Sequence, residues 1–376
     1  MGPRAIPPRT GANVVSSSTM VGSDTPLRIT VIGAGVVGCY LGGRLARHAD
    51  VTLVGRPHVL DPIRAVGLTV EAGKGVDDRI HVPSEALTLS ETPESVRRSD
   101  VVLVCTKAGS SAAATAEFVP FLRPGTLVVG LQNGLHSADS IRDGVGTNPV
   151  IAGIIPFNVA RTGPSTYRRT STGEIRIAEH PLAAPLLRVM DEADLPVRAT
   201  DDIQAVLHGK VLLNLNNAVQ ALSGLPLRDE LVDRDLRRCV ALCQGEAIRV
   251  FTAAGVVPRV PIAVPAGMLP SVMRLPTPVF RRLARTVMRV DADGTSSMND
   301  DLIRGRPTEI DILQGEVVRM GRRLGVATPA CAHIVELVHE AERAGPDRLQ
   351  WTGKALLAEL QRARRRARRL ARMQFG

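Results

Sequence analysis

The hydrophobic pattern divides the chain into two parts of different character. Between residues 27 and 200, short apolar runs alternate with segments whose apolar residues recur at helical spacing. Strands that alternate with helices indicate a mainly parallel sheet. We therefore expect an α/β domain over 27–200. The predicted strands are 28–32, 51–54, 101–105, 126–131 and 149–154, and the predicted helices are 36–48, 110–122, 137–143 and 183–192.

Helical spacing dominates the chain after residue 201, and strand patterns disappear from the sequence. We therefore predict an all-α domain over 201–350. The predicted helical segments are 202–223, 229–255, 277–289, 309–325, 329–344 and 353–372.

The two ends differ from both domains. Residues 1–26 are rich in Pro, Ser, Gly and Thr without an apolar core, which predicts a disordered leader and not a signal peptide. Met20 is an alternative start in this interpretation. Residues 351–376 form a basic C-terminal tail.

The first predicted strand runs into the turn Gly33-x-Gly35-x-x-Gly38 and then into a helical pattern. This is the fingerprint of a Rossmann-type dinucleotide site. The first glycine allows the tight turn, the second lets a pyrophosphate approach the backbone, and the third lets the helix pack on the strand. The loop residues that we expect at the cofactor are Gly33, Ala34, Gly35, Val36, Val37 and Gly38.

The end of the second strand indicates which dinucleotide binds. An NAD site requires an acidic residue about 20 positions after the first glycine, to bond the ribose 2′-hydroxyl. The chain instead reads Val54-Gly55-Arg56. A planar guanidinium is suited to a phosphate. We therefore predict NADP(H), with Arg56 at the 2′-phosphate; the alternative is a solvated arginine at the start of a loop.

The net charge of +10 does not indicate a specific nucleic-acid-binding protein. Seven arginines lie between Arg362 and Arg372 with no acid among them, so most of the excess is in the tail. Aromatic residues make up 2% of the chain, too few for base-stacking platforms. A solvated basic tail is the favoured interpretation, and weak binding to polyanions is the alternative.

Cysteine usage and hydropathy indicate a cytoplasmic protein. The five cysteines are odd in number and form no CxxC pair, which is typical of reduced thiols. No run of 18 apolar residues is present to span a membrane. The eight histidines are scattered, so we predict no metal site.

A polar stripe on an apolar helix is the strongest candidate for chemistry. Lys210, Asn214 and Asn217 are spaced i, i+4 and i+7, so they share one face of a predicted helix. Asparagine is a poor helix former. A partly desolvated lysine has a lowered pKa and can act as a general acid. The alternative is a polar network that bridges two domains.

Two further short segments of interest lie near the ends of predicted strands and helices. Asn133, in Leu131-Gln-Asn-Gly-Leu135, follows a predicted strand. Ligands bind at this end of the strands in such sheets, so Asn133 is a candidate ligand-binding residue. The alternative is an ordinary turn, since Asn-Gly is common in turns. The segment 296–311 contains Ser-Ser-Met and, further on, Thr-Glu-Ile-Asp. Taken alone, these segments are two helix starts, with a serine cap on the first and Thr308 as the cap of the second.

Taken together, these residues resemble the ketopantoate reductase (2-dehydropantoate 2-reductase) family. The resemblance covers residues 28–345 and includes GAGVVG, Thr106-Lys107, LQNGL, the Lys210 helix, SSM and RGRPTEID. It implies a Rossmann domain and a helical domain with a substrate cleft between them. The implied activity is NADPH-dependent reduction of a 2-oxo acid, ketopantoate, in the pantothenate route to coenzyme A.

The resemblance also implies residue roles. Lys210 would donate a proton to the ketone oxygen, with Glu309 beside the ribose and the substrate. Ser297 would hold the substrate carboxylate. The other implied ligands are Asn133, Asn214 and Asn217 for the substrate, and Arg56, Lys107, Asn133, Glu309 and the backbone of Ala160 for the cofactor.

The chain departs from the family pattern at Ala218, near Gly294 and at Cys331. The first two departures lie at or near the substrate pocket, so the identity of the 2-oxo acid stays open. The alternatives are a reductase of another 2-oxo or β-hydroxy acid and a non-catalytic NADPH-sensing protein. A sensor would not need to retain Lys210 and Glu309. A homodimer is one possible assembly.

Overall fold

The computed structural model describes residues 25–73, 78–287 and 295–375. Most of the expected leader and the departure near Gly294 therefore lie outside the described residues. The strands are β1 (Arg28–Ile32), β2 (Asp50–Val54), β3 (Leu68–Glu71), β4 (Arg79–Val82), β5 (Thr88–Ser90), β6 (Val101–Val104), β7 (Leu127–Gly130), β8 (Val150–Ile154), β9 (Val159–Gly163), β10 (Thr166–Arg169), β11 (Ile175–Ala178) and β12 (Val197–Thr200).

Helices connect these strands and form the second half of the chain. They are α1 (Val36–Leu45), α2 (Pro57–Val66), α3 (Ser111–Phe118), α4 (Ser137–Arg142), α5 (Ala184–Glu192), α6 (Ile203–Asn214), α7 (Asn216–Ser223), α8 (Leu227–Val232), α9 (Arg234–Ala253), α10 (Leu269–Arg274), α11 (Thr277–Val287), α12 (Ser297–Ile303), α13 (Gln314–Arg323), α14 (Pro329–Ala344) and α15 (Gly353–Phe375).

The main sheet has eight strands in the order β12-β11-β8-β7-β6-β1-β2-β5. All neighbours are parallel except β11 and β8, which are antiparallel. The mainly parallel Rossmann-type sheet is thus confirmed. The order of the strands reverses between β1 and β6. In such sheets, ligands bind outside the carboxyl ends of the strands at this point.

Alternate residues of the central strands enter two separate hydrophobic cores. Val31 and Leu103 belong to the core that includes α1. Their chain neighbours Ile32 and Val104 belong to a second core, which continues into the helical part of the chain. The strands read as unbroken apolar runs because both faces of the sheet are covered.

A second sheet, in the order β4-β3-β10-β9, was not predicted from the sequence. It packs on α1, and Tyr167 of β10 is fully buried beside that helix. The division of the chain at residue 200 stays a prediction, although β12 ends at Thr200 and α6 begins at Ile203.

The helical part confirms the predicted all-α character, with local differences, among them α10 (Leu269–Arg274), which lies outside the predicted segments. The segment predicted as 202–223 is divided into α6 and α7 at Leu215. The segment predicted as 229–255 is divided at Asp233, whose carboxylate accepts from the N–H groups of Asp235 and Leu236 and so caps α9. Helix α13 begins only at Gln314, after a short 3₁₀ turn.

Within the described ranges, no helix combines the length and the apolar character needed to cross a membrane. The five cysteines carry free thiols, and four of them are buried.

Candidate active site and cofactor cleft

The glycine loop has the geometry that a dinucleotide site requires. Gly33 has a φ of +100°, and a Cβ there would lie 2.9 Å from the Thr106 nitrogen. A Cβ on Gly38 would lie 2.2 Å from the Gly33 oxygen, so only glycine lets α1 pack this close to the loop. A Cβ on Gly35 would meet no atom within 4 Å, because this residue faces open space.

Helix α1 offers an anion its N-terminus. Gly35 is the N-cap, and no side chain caps the helix. The first N–H groups of a helix lack intrahelical partners and carry partial positive charge. Ala34 is buried, and Val36 and Val37 are half-buried in the first turn. The loop therefore fits a dinucleotide pyrophosphate, which these N–H groups would hold.

Arg56 lies just beyond the carboxyl end of β2 and is exposed. It is the N-cap residue of α2, where its backbone carbonyl accepts from Val59 and Leu60. The neighbouring Gly55 packs against the glycine loop, since an added Cβ would lie 2.4 Å from the Ala34 Cβ. Arg56 is thus at the same edge of the sheet as the loop, and its role toward a phosphate stays a prediction.

Asn133 and Glu309 join the two halves of the molecule. Asn133 follows β7, and its Nδ2 donates to Glu309 Oε2 at 2.7 Å. Nearby, Gly134 has a φ of +99° and packs against Ile312, which follows Glu309 in the chain. Asn133 and Glu309, which are 176 residues apart in the sequence, therefore meet at the carboxyl end of the main sheet.

Lys210 is half-buried on α6. Desolvation lowers the pKa of its ammonium group from 10.5 to about 8, and the negative charge of Glu309 acts in the opposite direction. The helix is held in place at the preceding residue, where a Cβ on Gly209 would lie only 1.8 Å from the Arg259 carbonyl oxygen. Lys210, Glu309 and Asn133 therefore form one electrostatic group.

Three asparagines follow Lys210, and only Asn216 is bonded to Glu230. Asn214 and Asn217 are half-buried, and their place on the lysine side of the helix stays a prediction. Asn216 instead donates to the buried carboxylate of Glu230 at 3.0 Å. Burial raises the pKa of Glu230 to about 8, while the bond from Asn216 acts in the opposite direction. Glu230 Oε1 and Asn216 Oδ1 have no partner.

The two serines of the SSM segment have different environments. Ser296 caps α12 by accepting from Asn299 N–H, and its hydroxyl also donates to Gln220 Oε1 at 2.6 Å. Ser297 is exposed in the first turn of α12, so its hydroxyl faces solvent. Its role toward a substrate carboxylate stays a prediction.

Lys107 makes a contact that the sequence did not predict. Its ammonium lies 2.6 Å from Asp301 Oδ2 on α12 and 3.4 Å from the Pro307 carbonyl. Asp301 is four residues after Ser297, so the two share one face of α12. Lys107 is 48% exposed and is therefore still accessible to a ligand.

A second unpredicted bridge joins His136 to Glu316. His136 Nε2 lies 3.2 Å from Glu316 Oε1, and Arg319 bonds the other oxygen of that carboxylate. Glu316 is almost fully buried. This bridge is next to the contact between Asn133 and Glu309, and it fixes α13 against the loop after β7.

Ala160 lies apart from this group, on β9 of the second sheet, where it pairs with Arg168. Its proposed backbone contact to the cofactor stays a prediction. Across the described ranges, His, Cys, Asp and Glu side chains form no cluster suited to a metal ion.

Comparison with known proteins agrees with this geometry. Residues 29–181 match the profile of the family described as ketopantoate reductase PanE/ApbA, and residues 202–342 match the profile of its C-terminal part. A 2-dehydropantoate 2-reductase of Halobacterium salinarum is 30% identical over 331 residues, which cover 85% of this chain and 100% of that protein.

Solved structures give the same result for the fold. A PanE/ApbA family ketopantoate reductase from Ralstonia eutropha superposes with a TM-score of 0.72 at 30% identity, covering 85% of this chain and 99% of that one. D-mandelate dehydrogenase, in a ternary structure with NADH and anilino(oxo)acetate, superposes with a TM-score of 0.70 at 21% identity and the same coverage. At that identity, the second likeness concerns the fold alone.

The fold and the site define an oxidoreductase that acts on CH–OH groups with a nicotinamide cofactor. The glycine loop belongs to the α/β part of the chain, and Lys210 and Glu309 belong to the helical part. More particularly, the chain belongs to the ketopantoate reductase family.

Proposed function

We propose that this protein uses NADPH to reduce ketopantoate (2-dehydropantoate) to pantoate, the 2-hydroxy acid of the pantothenate route to coenzyme A, in the cytoplasm. The observation that carries the proposal is the group formed by Lys210, Glu309 and Asn133. It combines an acid of suitable pKa with a contact to the cofactor half of the molecule. The exposed Arg56 supports NADPH over NADH.

NADPH held at the glycine loop would supply hydride to C2 of the 2-oxo acid. Lys210 donates a proton to the ketone oxygen, so that one hydride and one proton together give the alcohol. Negative charge develops on that oxygen during the reaction. A cation beside it stabilises the transition state more than the ground state.

The remaining residues orient the reactants. Glu309 holds Asn133 through the 2.7 Å bond and keeps negative charge near Lys210, which favours the protonated acid. Ser297, exposed at the start of α12, binds the substrate carboxylate. Asn214 and Asn217 bind the substrate from the lysine face of α6 and α7.

The test is NADPH oxidation with a panel of 2-oxo acids: ketopantoate, pyruvate, 2-oxoisovalerate and phenylglyoxylate. The proposal requires the highest kcat/KM for ketopantoate. A larger kcat/KM for another member of the panel would change the proposed substrate but leave the proposed reaction, reduction of a 2-oxo acid, unchanged. That second candidate is favoured by Ala218, a buried alanine at which the chain departs from the pattern of the family that it resembles. If NADPH binds but is oxidised with none of these 2-oxo acids, the result would favour the non-catalytic NADPH-sensing protein.

A further inference from the structure

The basic tail is a helix that continues beyond the body of the protein. Helix α15 is anchored by Leu356, Leu357 and Leu360, which are at most 5% exposed and pack in the core with α9 and α14. Beyond this anchor the helix emerges, and Leu370 and Met373 are 53% and 72% exposed. The emerging part carries Arg362, Arg364, Arg365, Arg366, Arg368, Arg369 and Arg372.

Arginines from two other helices extend this basic surface. Burial lowers the pKa of Arg364, and the positive charges of Arg368, Arg249 and Arg274 act in the same direction. Arg249 lies on α9 and Arg274 ends α10, and both are exposed. We call Arg249, Arg274 and the seven arginines of α15 the arginine surface.

Two carboxylates beside this surface do not neutralise it: Glu359 pairs with only one of the nine arginines, Arg362, and Glu246 is buried. Glu246 Oε1 lies 3.9 Å from Arg364 Nε, and both oxygens of Glu246 already accept from the N–H groups of Ala330 and Cys331. Glu246 is 1% exposed, so its charge is directed into the protein. The arginine surface therefore presents a large excess of positive charge to solvent.

We propose that the arginine surface binds the phosphate backbone of double-stranded nucleic acid without sequence preference. Guanidinium groups pair with phosphates through charge-assisted hydrogen bonds. The seven arginines extend over about 15 Å of helix, and an α-helix about 10–12 Å wide fits a major groove about 12 Å wide. This interaction is independent of the reductase site.

The distribution of side chains favours a duplex over an anionic membrane. A helix that lies in a membrane surface needs a wide apolar face with large side chains. In α15 the apolar side is occupied by the protein body at Leu356 and Leu360, and continues outward as alanines with one large side chain, the exposed Leu370. The arginines occupy more than half of the helix circumference, which suits a groove with phosphates on both walls.

The test is fluorescence anisotropy of the full-length protein with two labelled 20-base-pair DNA duplexes of unrelated sequence, at 50 and 200 mM salt. We expect equal affinity for both duplexes and a loss of about a hundredfold or more between the two salt concentrations. The variant R365Q/R366Q/R368Q/R369Q should bind at least tenfold more weakly with a shallower salt dependence. Glutamine retains helix propensity.

The matched control removes the same charge elsewhere. The variant R47Q/R98Q/R188Q/R322Q changes four exposed arginines outside the arginine surface and should keep the parent affinity. All three proteins should oxidise NADPH equally with the preferred 2-oxo acid. The proposal is overturned by a lack of duplex binding at 50 mM salt, by equal losses in the two variants, or by binding to phosphatidylserine vesicles without binding to DNA.

Discussion

Asn133 Nδ2 donates to Glu309 Oε2 at 2.7 Å and thereby places the charge that acts on Lys210. Glu309 opposes the desolvation that lowers the pKa of the lysine to about 8. The acid must be protonated in the free enzyme, so kcat/KM should fall tenfold per pH unit above about pH 8. Glu309→Gln removes the charge and should move this fall toward neutral pH.

The measurement is kcat/KM from pH 6 to 10 for the parent, Glu309→Gln and the exposed control Glu340→Gln. The control should follow the parent profile. A Glu309→Gln profile that breaks at the same pH as the parent would show that Glu309 does not set the pKa of the acid.

Lys210→Ala removes the proposed proton donor, which would also be the cation beside the developing oxyanion. We expect kcat to fall on the order of 10³-fold or more, while NADPH binds with unchanged affinity. Lys354→Ala, an exposed lysine of α15, is the matched control and should keep full activity. Stopped-flow turnover and NADPH fluorescence titration separate the two effects. Turnover within about tenfold of the parent would refute the role of Lys210.

Arg56→Ala tests the preference between the two nicotinamide cofactors. A charge-assisted contact to the 2′-phosphate contributes about 1.5–3 kcal/mol, so the Kd for NADPH should rise about 10- to 100-fold. The Kd for NADH should change less than about threefold, because NADH lacks that phosphate. Arg47→Ala serves as the exposed-arginine control. Equal weakening of both cofactors would place Arg56 elsewhere than at the 2′-phosphate.

Glu230 makes a prediction about stability. Its pKa is raised from 4.5 to about 8 by burial. Between these values the unfolded carboxyl loses its proton while the folded one keeps it, so the free energy of unfolding falls as pH rises. Glu230→Gln should remove this decline and stabilise the protein at pH 9 by on the order of 1 kcal/mol or more. The glutamine amide can also donate to the unpartnered Asn216 Oδ1.

Urea unfolding at pH 5, 7 and 9 measures this difference, with Glu340→Gln as the control. If the free energies of unfolding of the parent and of Glu230→Gln change equally with pH across this range, Glu230 is ionised in the folded protein.

Five of the eight main-sheet strands could be predicted because they are buried and read as apolar runs. The strands β5, β11 and β12 were missed because they are short and carry polar residues, as in Thr-Leu-Ser, Ile-Arg-Ile-Ala and Val-Arg-Ala-Thr. The second sheet could not be predicted, because β4 reads Arg-Ile-His-Val and β10 reads Thr-Tyr-Arg-Arg. Short strands of this kind are defined by their partners and by their packing on α1, which the local sequence does not encode.

The candidate site shows a similar division. Helical spacing predicts Asn214 and Asn217 on the side of Lys210, which stays a prediction, but the reason for Asn216 is the buried carboxylate of Glu230, a long-range contact. The pairing of Lys107 with Asp301 spans the two halves of the chain and was equally hidden from local patterns.

Helix α6 packs on β8 and β11 and also carries Lys210, so the proposed proton donor is held against the same sheet that carries the glycine loop. Its apolar residues share one continuous core with Ile32 and Val104 of the central strands. An isolated fragment 25–200 would leave that face of the sheet bare and prone to aggregate. The nucleotide-binding half therefore cannot be transplanted as an autonomous module, and engineering of this enzyme must treat α6 as part of its scaffold.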